Sequence, residues 1–325
     1  MSTLEKLSQI SLPVLDEPAW MPVPMSSPPE PKKSKAQVFG ARLFSTLLLW
    51  AVVTGVFLSD NIWAFTAILA LLGLFSVREF FQMTCKGGMP SQPKWGMLTG
   101  FAYLVIVAVR IGREGAGVLD SLMAMDVAFV SLVVMGGFLC QLRRPIDGKN
   151  TVIEVAVTTL GFVYVAVLFS FLSRLLVLPA PNGGGVPGAW LLLWLIAVTK
   201  FTDMGAYITG SLIGKHKMIP HISPGKTWQG FGGALFFSQL AGCGLYAMMP
   251  DQLEILGGWG WVIGLSFVLS LLAVVGDLAE SVLKRSIGVK DSGNTLPGIG
   301  GALDLIDSLC FTAPVLYFFL RWMPV

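Results

Sequence analysis

The chain has few charged residues and few of the side chains that most metal and covalent catalytic centres use. Only 13% of its 325 residues are charged, and it contains two histidines and four cysteines. A soluble domain carries about 25% charged residues, so this composition argues against an ordinary soluble enzyme. The net charge of +3 comes without a basic run, so no nucleic-acid partner is expected.

The cysteines and histidines do not form a recognisable site. No two cysteines have CxxC spacing, and three of the four lie in apolar stretches. Neither a disulfide framework nor a zinc site is therefore predicted. Two histidines also argue against a histidine-based metal centre.

Long apolar runs are what the chain does have, since 54% of its residues are hydrophobic. About 20 apolar residues cross a bilayer as one helix. The sequence therefore predicts an all-α polytopic membrane protein. Nine transmembrane helices are expected, at 41–58, 61–77, 96–110, 126–142, 152–178, 188–208, 230–249, 258–279 and 300–320.

Residues 1–38 contain seven prolines and no apolar run of the signal-peptide type. They are expected to be a disordered, Pro-rich cytoplasmic tail. Residues 39–194 then hold the N-terminal transmembrane helices. Residues 195–325 are expected to form a second transmembrane region that carries the polar motifs and is interpreted as a catalytic region with its active site on the cytoplasmic side.

The orientation follows from where the basic residues lie. With the tail inside, the cytoplasmic loops at 78–94, 143–149, 215–226 and 284–290 carry most of the lysines and arginines. The opposite side has few. By the positive-inside rule the N-terminus is cytoplasmic. We expect an integral, multi-pass protein of a bacterial-type inner (cytoplasmic) membrane.

One stretch departs from this apolar background. Residues 276–308 read GDLAESVLKRSIGVKDSGNTLPGIGGALDLIDS and carry eight charged residues between two apolar runs. Charges at the edge of a bilayer are unfavourable unless they pair, bind ions or face water. The stretch is therefore a candidate active site.

Helical spacing arranges these charges on two faces. A helix ending near Lys284 places Asp277, Glu280 or Ser281, and Lys284 on one side. A second helix, beginning near residue 300, places Asp304 and Asp307 one turn apart. Two acidic faces joined by a Gly-rich connection suit a divalent cation with a phosphate ligand.

A second group of polar residues lies on the same side of the predicted membrane. Asp203 approaches the cytoplasmic end of the sixth span. The loop that follows contains Ser223, Lys226 and Thr227, in an expected tight turn just before the seventh span. Helix N-terminal N–H groups with a nearby lysine can hold a phosphate.

These motifs resemble the signature of the phosphatidate cytidylyltransferases, or CDP-diacylglycerol synthases. The segments that match are GDLxESxxKR from 276, KDS from 290, PGxGG from 297, DxxDS from 304, DxxAY from 203, GKHK from 214 and SPxKTW from 223. The resemblance covers residues 195–310 closely and the earlier spans in hydropathy alone. Ile299 and Leu305 depart from it, since the family usually has His and Arg there, and Gly225 stands where Lys is common.

The resemblance implies that the chain transfers the cytidylyl group of CTP to phosphatidate in the lipid bilayer, releasing pyrophosphate. Phosphatidate is already a nucleophile, because a phosphate monoester is largely dianionic at pH 7. A general base is therefore not required. The reaction needs charge neutralisation by Mg²⁺ and lysines.

The acidic residues divide into two groups of metal candidates. Asp277 and Asp304 are expected to bind Mg²⁺, which the resemblance also implies. Asp307 and Asp203 are further candidates, through water or a second, monovalent cation. Lys284 is expected to contact the lipid phosphate or the pyrophosphate.

The substrate-binding residues are expected around the two loops. Ser223, Lys226 and Thr227 are assigned to the nucleotide phosphates. Arg285 is the alternative to Lys284, and Lys290 follows it on the same connection. The sequence is compatible with a homodimer.

Other interpretations remain open at this point. Asp277 or Asp304 could form a structural ion pair with Lys284 or Lys200. Intramembrane carboxylates also mark transporters and channels, but the inverted repeats of that class are not found. A CTP-using lipid kinase, an enzyme acting on another lipid phosphate, and an inactive paralogue are the remaining alternatives.

Four charged residues outside these motifs have simpler interpretations. Arg78 and Glu79 are expected to form a solvated helix end at the close of the second span. Glu154 and Arg174, both in the fifth span, could pair within the helix bundle.

Overall fold

A computed structural model describes residues 51–178, 186, 188–289, 292–293, 295 and 300–323. The predicted tail at 1–38 lies outside the described residues. So do most of the first predicted span, Lys290 and Ile299.

The described chain is almost entirely helical. Its helices are α1 (Ile62–Lys86), α2 (Pro93–Glu114), α3 (Leu119–Gln141), α4 (Gly148–Gly161), α5 (Leu168–Leu175), α6 (Ala189–Ile213), α7 (Trp228–Met248), α8 (Trp259–Ser286) and α9 (Ala302–Trp322). Residues 51–59 are also helical and precede α1. A π-helical segment, Phe162–Val167, joins α4 to α5. Strands β1 (Lys217–Ile219) and β2 (Ser223–Thr227) form an antiparallel hairpin between α6 and α7.

Seven helical segments of the described chain are long and apolar enough to cross a membrane. They are Ile62–Lys86, Pro93–Gln141, Gly148–Leu175, Ala189–Ile213, Trp228–Met248, Trp259–Ser286 and Ala302–Trp322. Their outward faces are apolar too, which is typical of helices in lipid. The all-α polytopic class is therefore confirmed, whereas the predicted number of nine spans is not.

The longest of these segments, Pro93–Gln141, contains two helices that fold back on each other. The Trp95 indole Nε1 donates to the carbonyl of Val133 at 3.2 Å. The Tyr103 hydroxyl donates to Asp126 Oδ1 at 2.7 Å. The reversal occurs at Gly115, whose φ of 57° suits glycine. Predicted spans 96–110 and 126–142 correspond to α2 and α3.

The charged residues of the predicted fifth span pair with other elements. Arg174 Nη2 lies 2.6 Å from Asp126 Oδ1, so that α5 is tied to α3. Glu154 Oε2 lies 3.3 Å from Arg144 Nη1 and accepts a hydrogen bond from Gln141. Arg174 therefore pairs within the bundle, whereas the partner of Glu154 in its ion pair is an exposed arginine beyond the end of α3.

Helices α8 and α9 approach closely at Gly276. A Cβ atom on this glycine would lie 2.8 Å from Ser308 Cα and 2.9 Å from the Asp307 carbonyl oxygen. Contacts this short leave no room for a side chain. The sequence placed the end of one helix near Lys284 and the start of the next near residue 300. The observed boundaries, Ser286 and Ala302, agree.

The prediction of a tight turn over residues 223–227 was wrong. These residues form β2, in which Ser223 pairs with Ile219 and Thr227 with Lys217, and the chain reverses before them, between Ile219 and Ser223. Pro224 is compatible with a strand here because both strands of a two-stranded hairpin are edges. Helix α7 begins directly after β2, at Trp228.

Candidate active site

A cavity of about 520 Å³ lies among α6, the β-hairpin, α7, α8 and α9. Seven of the ten predicted site residues line it: Asp203, Ser223, Lys226, Thr227, Asp277, Asp304 and Asp307. The hairpin and the two acidic helices are distant in sequence. The fold therefore brings together the two groups of motifs that the sequence analysis identified.

Three carboxylates form the acidic centre of this region. Asp277 and Glu280 are less than one turn apart on α8, and Asp307 faces them from α9. One oxygen from each lies within 4.8 Å of the others. Glu280 Oε1 is buried without a hydrogen-bond partner among the described residues. Three oxygen ligands, one of them unsatisfied, fit a hard cation such as Mg²⁺.

Asp304 lies beside this centre and is held by protein contacts. Its Oδ1 lies 3.0 Å from Lys284 Nζ, and its Oδ2 accepts a hydrogen bond from the Gly301 amide at 3.1 Å. Lys284 Nζ also lies 2.6 Å from Glu280 Oε2. Lys284 thus joins α8 to the first turn of α9. The structural pairing of Asp304 with Lys284, left open by the sequence, is observed.

A second lysine reaches the acidic centre from the hairpin. Lys226 Nζ lies 2.6 Å from Asp277 Oδ2. On α6, Lys200 Nζ lies 3.6 Å from Asp203 Oδ2. Cationic groups therefore approach the carboxylates from two further elements, as binding of a polyphosphate requires.

Thr227 has a structural contact in addition to its place in the cavity wall. It is the N-cap of α7, and its hydroxyl oxygen accepts a hydrogen bond from the Gly230 amide at 3.1 Å. Its hydroxyl hydrogen can still donate. The predicted helix N-terminus at this position is confirmed.

Two predicted or atypical residues, Arg285 and Leu305, lie away from the cavity wall. Arg285 is exposed, and its Nε is 3.5 Å from the Ile222 carbonyl oxygen. Lys290 lies outside the described residues. Leu305 is half-buried and packs against the apolar core, so it does not replace a cavity-lining arginine.

The interpretation of Glu79 as part of a solvated helix end was wrong. Its neighbour Arg78 is exposed, but Glu79 is only 1% exposed. Its carboxylate accepts hydrogen bonds from the backbone amides of Leu303 and Thr295. Both amides precede or begin α9, more than 200 residues later. The sequence gives no signal of such a distant partner.

Tyr164 was also missed by the sequence analysis. Its hydroxyl is buried and has no hydrogen-bond partner in the described part of the chain. Its ring meets that of Phe311 edge-on, with the ring centroids 6.1 Å apart. Tyr164 lies in the π-helical segment, whose register does not follow from the sequence.

Sequence comparisons show which known proteins this chain resembles. A model of the cytidylyltransferase family matches residues 40–323. The uncharacterised protein YnbB of Escherichia coli K12 is 33% identical over 257 residues, which are 73% of this chain and 83% of YnbB. A phosphatidate cytidylyltransferase of Staphylococcus aureus COL is 33% identical over 249 residues, which cover 76% of this chain and 85% of the relative. One from Mycobacterium bovis is 37% identical over 178 residues, 54% of this chain and 53% of its own.

Proposed function

The chain belongs to the cytidylyltransferase family, and from this premise we propose that it is a phosphatidate cytidylyltransferase. It would convert CTP and phosphatidate into CDP-diacylglycerol and pyrophosphate. The name of the Staphylococcus aureus relative supports this substrate pair. The observation that carries the proposal is the cavity lined by Asp277, Asp304 and Asp307 of α8 and α9, where Lys226 of the hairpin contacts Asp277.

The lipid phosphate is the nucleophile in this reaction. As a phosphate monoester it is largely dianionic at pH 7, and it can attack the α-phosphate of CTP without a general base. The site accordingly contains carboxylates and lysines rather than a Ser–His or Cys–His pair. Its task is to bring two anions together and to stabilise the charge that develops on the leaving pyrophosphate.

The acidic centre fits the magnesium ion that this chemistry uses. Asp277, Glu280 and Asp307 would hold it, and Asp304 is a fourth candidate that would have to share its oxygens with Lys284. When bound, Mg²⁺ would neutralise charge on the substrate phosphates. A second, monovalent cation remains a proposal for the same cluster.

The lysines complete the neutralisation from the protein side. Lys226 contacts Asp277 and lines the cavity, so its ammonium meets a nucleotide phosphate bound beside that carboxylate. Ser223 and Thr227 provide hydroxyls from the same strand. Lys284, which pairs with Glu280 and Asp304, would contact the lipid phosphate or the pyrophosphate.

The cavity is also accessible to a lipid substrate. Tyr207 on α6 lines the cavity and is 77% exposed on the apolar surface of the bundle. Diacylglycerol chains would lie in the bilayer beside this helix, with the phosphate directed toward the carboxylates. The lysines and arginines of the loops support, by the positive-inside rule, an inner-membrane protein whose active site lies on the cytoplasmic side.

The proposal is tested with purified protein in detergent. Labelled CTP, Mg²⁺ and phosphatidate should give a labelled CDP-lipid and pyrophosphate in equal amounts. Parallel reactions distinguish the alternatives: a prenyl phosphate with CTP labelled in its α-phosphate tests an enzyme for another lipid phosphate, and diacylglycerol with CTP labelled in its γ-phosphate tests a lipid kinase, which transfers only that phosphate. If none of these acceptors yields a labelled lipid at saturating CTP, the chain is an inactive paralogue.

A further inference from the structure

Glu79 is a buried carboxylate in the N-terminal part of the chain that the proposed chemistry does not use. It lies on α1 and is 1% exposed. Its Oε2 accepts a hydrogen bond from the Leu303 amide at 2.9 Å, and its Oε1 accepts one from the Thr295 amide at 3.2 Å. Within the described residues no lysine or arginine forms an ion pair with it.

A buried carboxylate without a cation is unfavourable unless other groups satisfy it. Here one donor is the Leu303 amide in the first turn of α9, where amides lack intrahelical partners and carry partial positive charge. The other is the Thr295 amide in the segment before α9. The N-cap residue of α9 is Gly301, which has no side chain to accept these hydrogen bonds. Glu79 therefore caps α9 from another helix.

The segment before α9 packs directly against this carboxylate. A Cβ atom on Gly293 would lie 2.6 Å from Glu79 Cδ, and one on Gly301 would lie 2.7 Å from Glu79 Oε2. Such distances are too short for a real side chain. Glycine at both positions thus allows the backbone to approach the two carboxylate oxygens.

The backbone amide that Glu79 contacts on α9 lies within one helical turn of the cavity wall. Leu303, whose amide Glu79 binds, is followed by Asp304, a residue of the cavity wall. Asp304 in turn accepts hydrogen bonds from the Gly301 amide and from Lys284. A displacement of this turn would move Asp304 relative to Lys284 and the acidic centre on α8.

We propose that Glu79 is a positioning residue for the active site. It anchors the first turn of α9 to α1, so that Asp304 is held against Lys284 and Asp307 faces Asp277 and Glu280. The inference rests on the proposed function for the identity of the ligand, Mg²⁺ with CTP. It assigns to the N-terminal helices a part in the site beyond membrane insertion.

The test is Glu79→Gln, which preserves size and one acceptor oxygen but removes the charge. We expect the Mg²⁺–CTP concentration that half-saturates the folded protein in equilibrium binding with labelled CTP to rise at least about fivefold, since a binding shift of this size is about 1 kcal/mol. The half-saturating concentrations in turnover should rise in parallel. Glu154→Gln is the matched control, because Glu154 is also a hydrogen-bonded glutamate of the N-terminal helices but lies away from the cavity.

Binding and rates are measured per mole of folded protein, well below the lower unfolding temperature. A merely structural role would lower the unfolding temperature and leave the Mg²⁺–CTP midpoint of the folded protein unchanged, which would overturn the inference. Glu79→Asp retains the charge and is the second variant if Glu79→Gln does not fold. Its shorter side chain should reach one amide and give an intermediate midpoint, and a wild-type midpoint would likewise overturn the inference.

Hydrogen exchange separates this inference from the proposed function. A wild type that turns over no CTP contradicts the function. In that case, faster amide exchange at the start of α9 in Glu79→Gln than in Glu154→Gln still supports the anchor. Equal amide-exchange rates at the start of α9 in the two variants would contradict the anchoring role of Glu79.

Discussion

Asp277 is the residue at which the contacts of the site converge. It lies 2.6 Å from Lys226 of the hairpin and shares the acidic centre with Glu280 and Asp307. A structural role as the partner of Lys226 would make its charge important for stability. A role in Mg²⁺ binding would make the same charge important for the rate.

Asp277→Asn distinguishes these roles, because it preserves size and removes the charge. We expect the rate of CDP-lipid formation to fall about a hundredfold or more, as it does when one contact worth a few kcal/mol in the transition state is lost. The measurement is labelled product formed over a range of Mg²⁺ concentrations. Asp251→Asn, an exposed aspartate outside the cavity, should keep the wild-type rate. Near-normal turnover by Asp277→Asn at low Mg²⁺ would show that Asp277 is not a ligand.

At the residue scale the sequence predicted what lies close together along the chain. Asp277 and Lys284 could be placed on one helical face, and Lys226 next to a helix N-terminus, because local spacing determines both. Glu79 and Tyr164 could not be assigned. The partners of Glu79 are amides more than 200 residues away, and Tyr164 depends on a π-helical register that has no sequence signature.

At the scale of elements, the β-hairpin between α6 and α7 contributes its own side chains, among them Ser223 and Lys226, to the cavity wall. Gln229 fixes its base, since its side-chain oxygen accepts from the amides of Lys215 and His216. Gly225 lines the cavity next to Lys226, and a Cβ atom there would meet nothing within 4 Å. The position is open to a larger side chain.

Gly225→Lys should therefore fold and add a second cation to the nucleotide side of the cavity. We expect the half-saturating CTP concentration to fall several-fold, because a lysine near the phosphates adds a charge-assisted contact. Initial rates at varied CTP and fixed phosphatidate concentrations give this half-saturating concentration. Ser286→Lys adds the same charge at an exposed position outside the cavity and should leave this value unchanged. An equal decrease in both variants would indicate general electrostatic attraction instead.

The ion pair between α3 and α5 has a different role from the acidic centre. Arg174 is completely buried and donates to Tyr103, Asp126 and Ser170. Its guanidinium also lies 4.4 Å from the centroid of the Phe171 ring. Neither Arg174 nor Asp126 lines the cavity, so the pair serves the packing of the N-terminal helices.

Asp126→Asn leaves the buried arginine without its counter-charge. Breaking a buried pair in this way costs about 3–5 kcal/mol, so the unfolding temperature should drop clearly. Replacing both partners with Leu should restore much of the loss, since no buried charge remains. Thermal unfolding in detergent measures both effects. The rate per mole of folded protein should stay at the wild-type level, and a large loss of rate in stable protein would contradict this assignment.

At the scale of the whole molecule, hydropathy predicted the class of protein and most helices but did not determine the number of crossings. Helical structure continues from Pro93 to Gln141, although the chain reverses at Gly115. A reversal inside an apolar, helical stretch leaves little trace in composition. The end of α8 and the start of α9 were easier to predict, because charged residues and glycines interrupt the apolar runs there.

The orientation of the molecule can be tested across one helix. Helix α7 has 21 residues, about 32 Å at 1.5 Å per residue, which is enough to cross a hydrocarbon core of about 30 Å. His221 precedes it in the hairpin, Asp251 follows it, and both are exposed. If α7 spans the bilayer, these two positions lie on opposite sides.

The four native cysteines are first replaced, so that His221→Cys or Asp251→Cys carries the only thiol. The lysines around the hairpin place it in the cytoplasm by the positive-inside rule. A membrane-impermeant thiol reagent should therefore label Asp251→Cys in intact cells and His221→Cys only in inverted vesicles. The reverse labelling pattern would show that the orientation is opposite to the predicted one and that the proposed active site lies on the outer face. Labelling of both positions from one side would instead show that α7 does not cross the membrane, and the proposed cytoplasmic site would lose its basis.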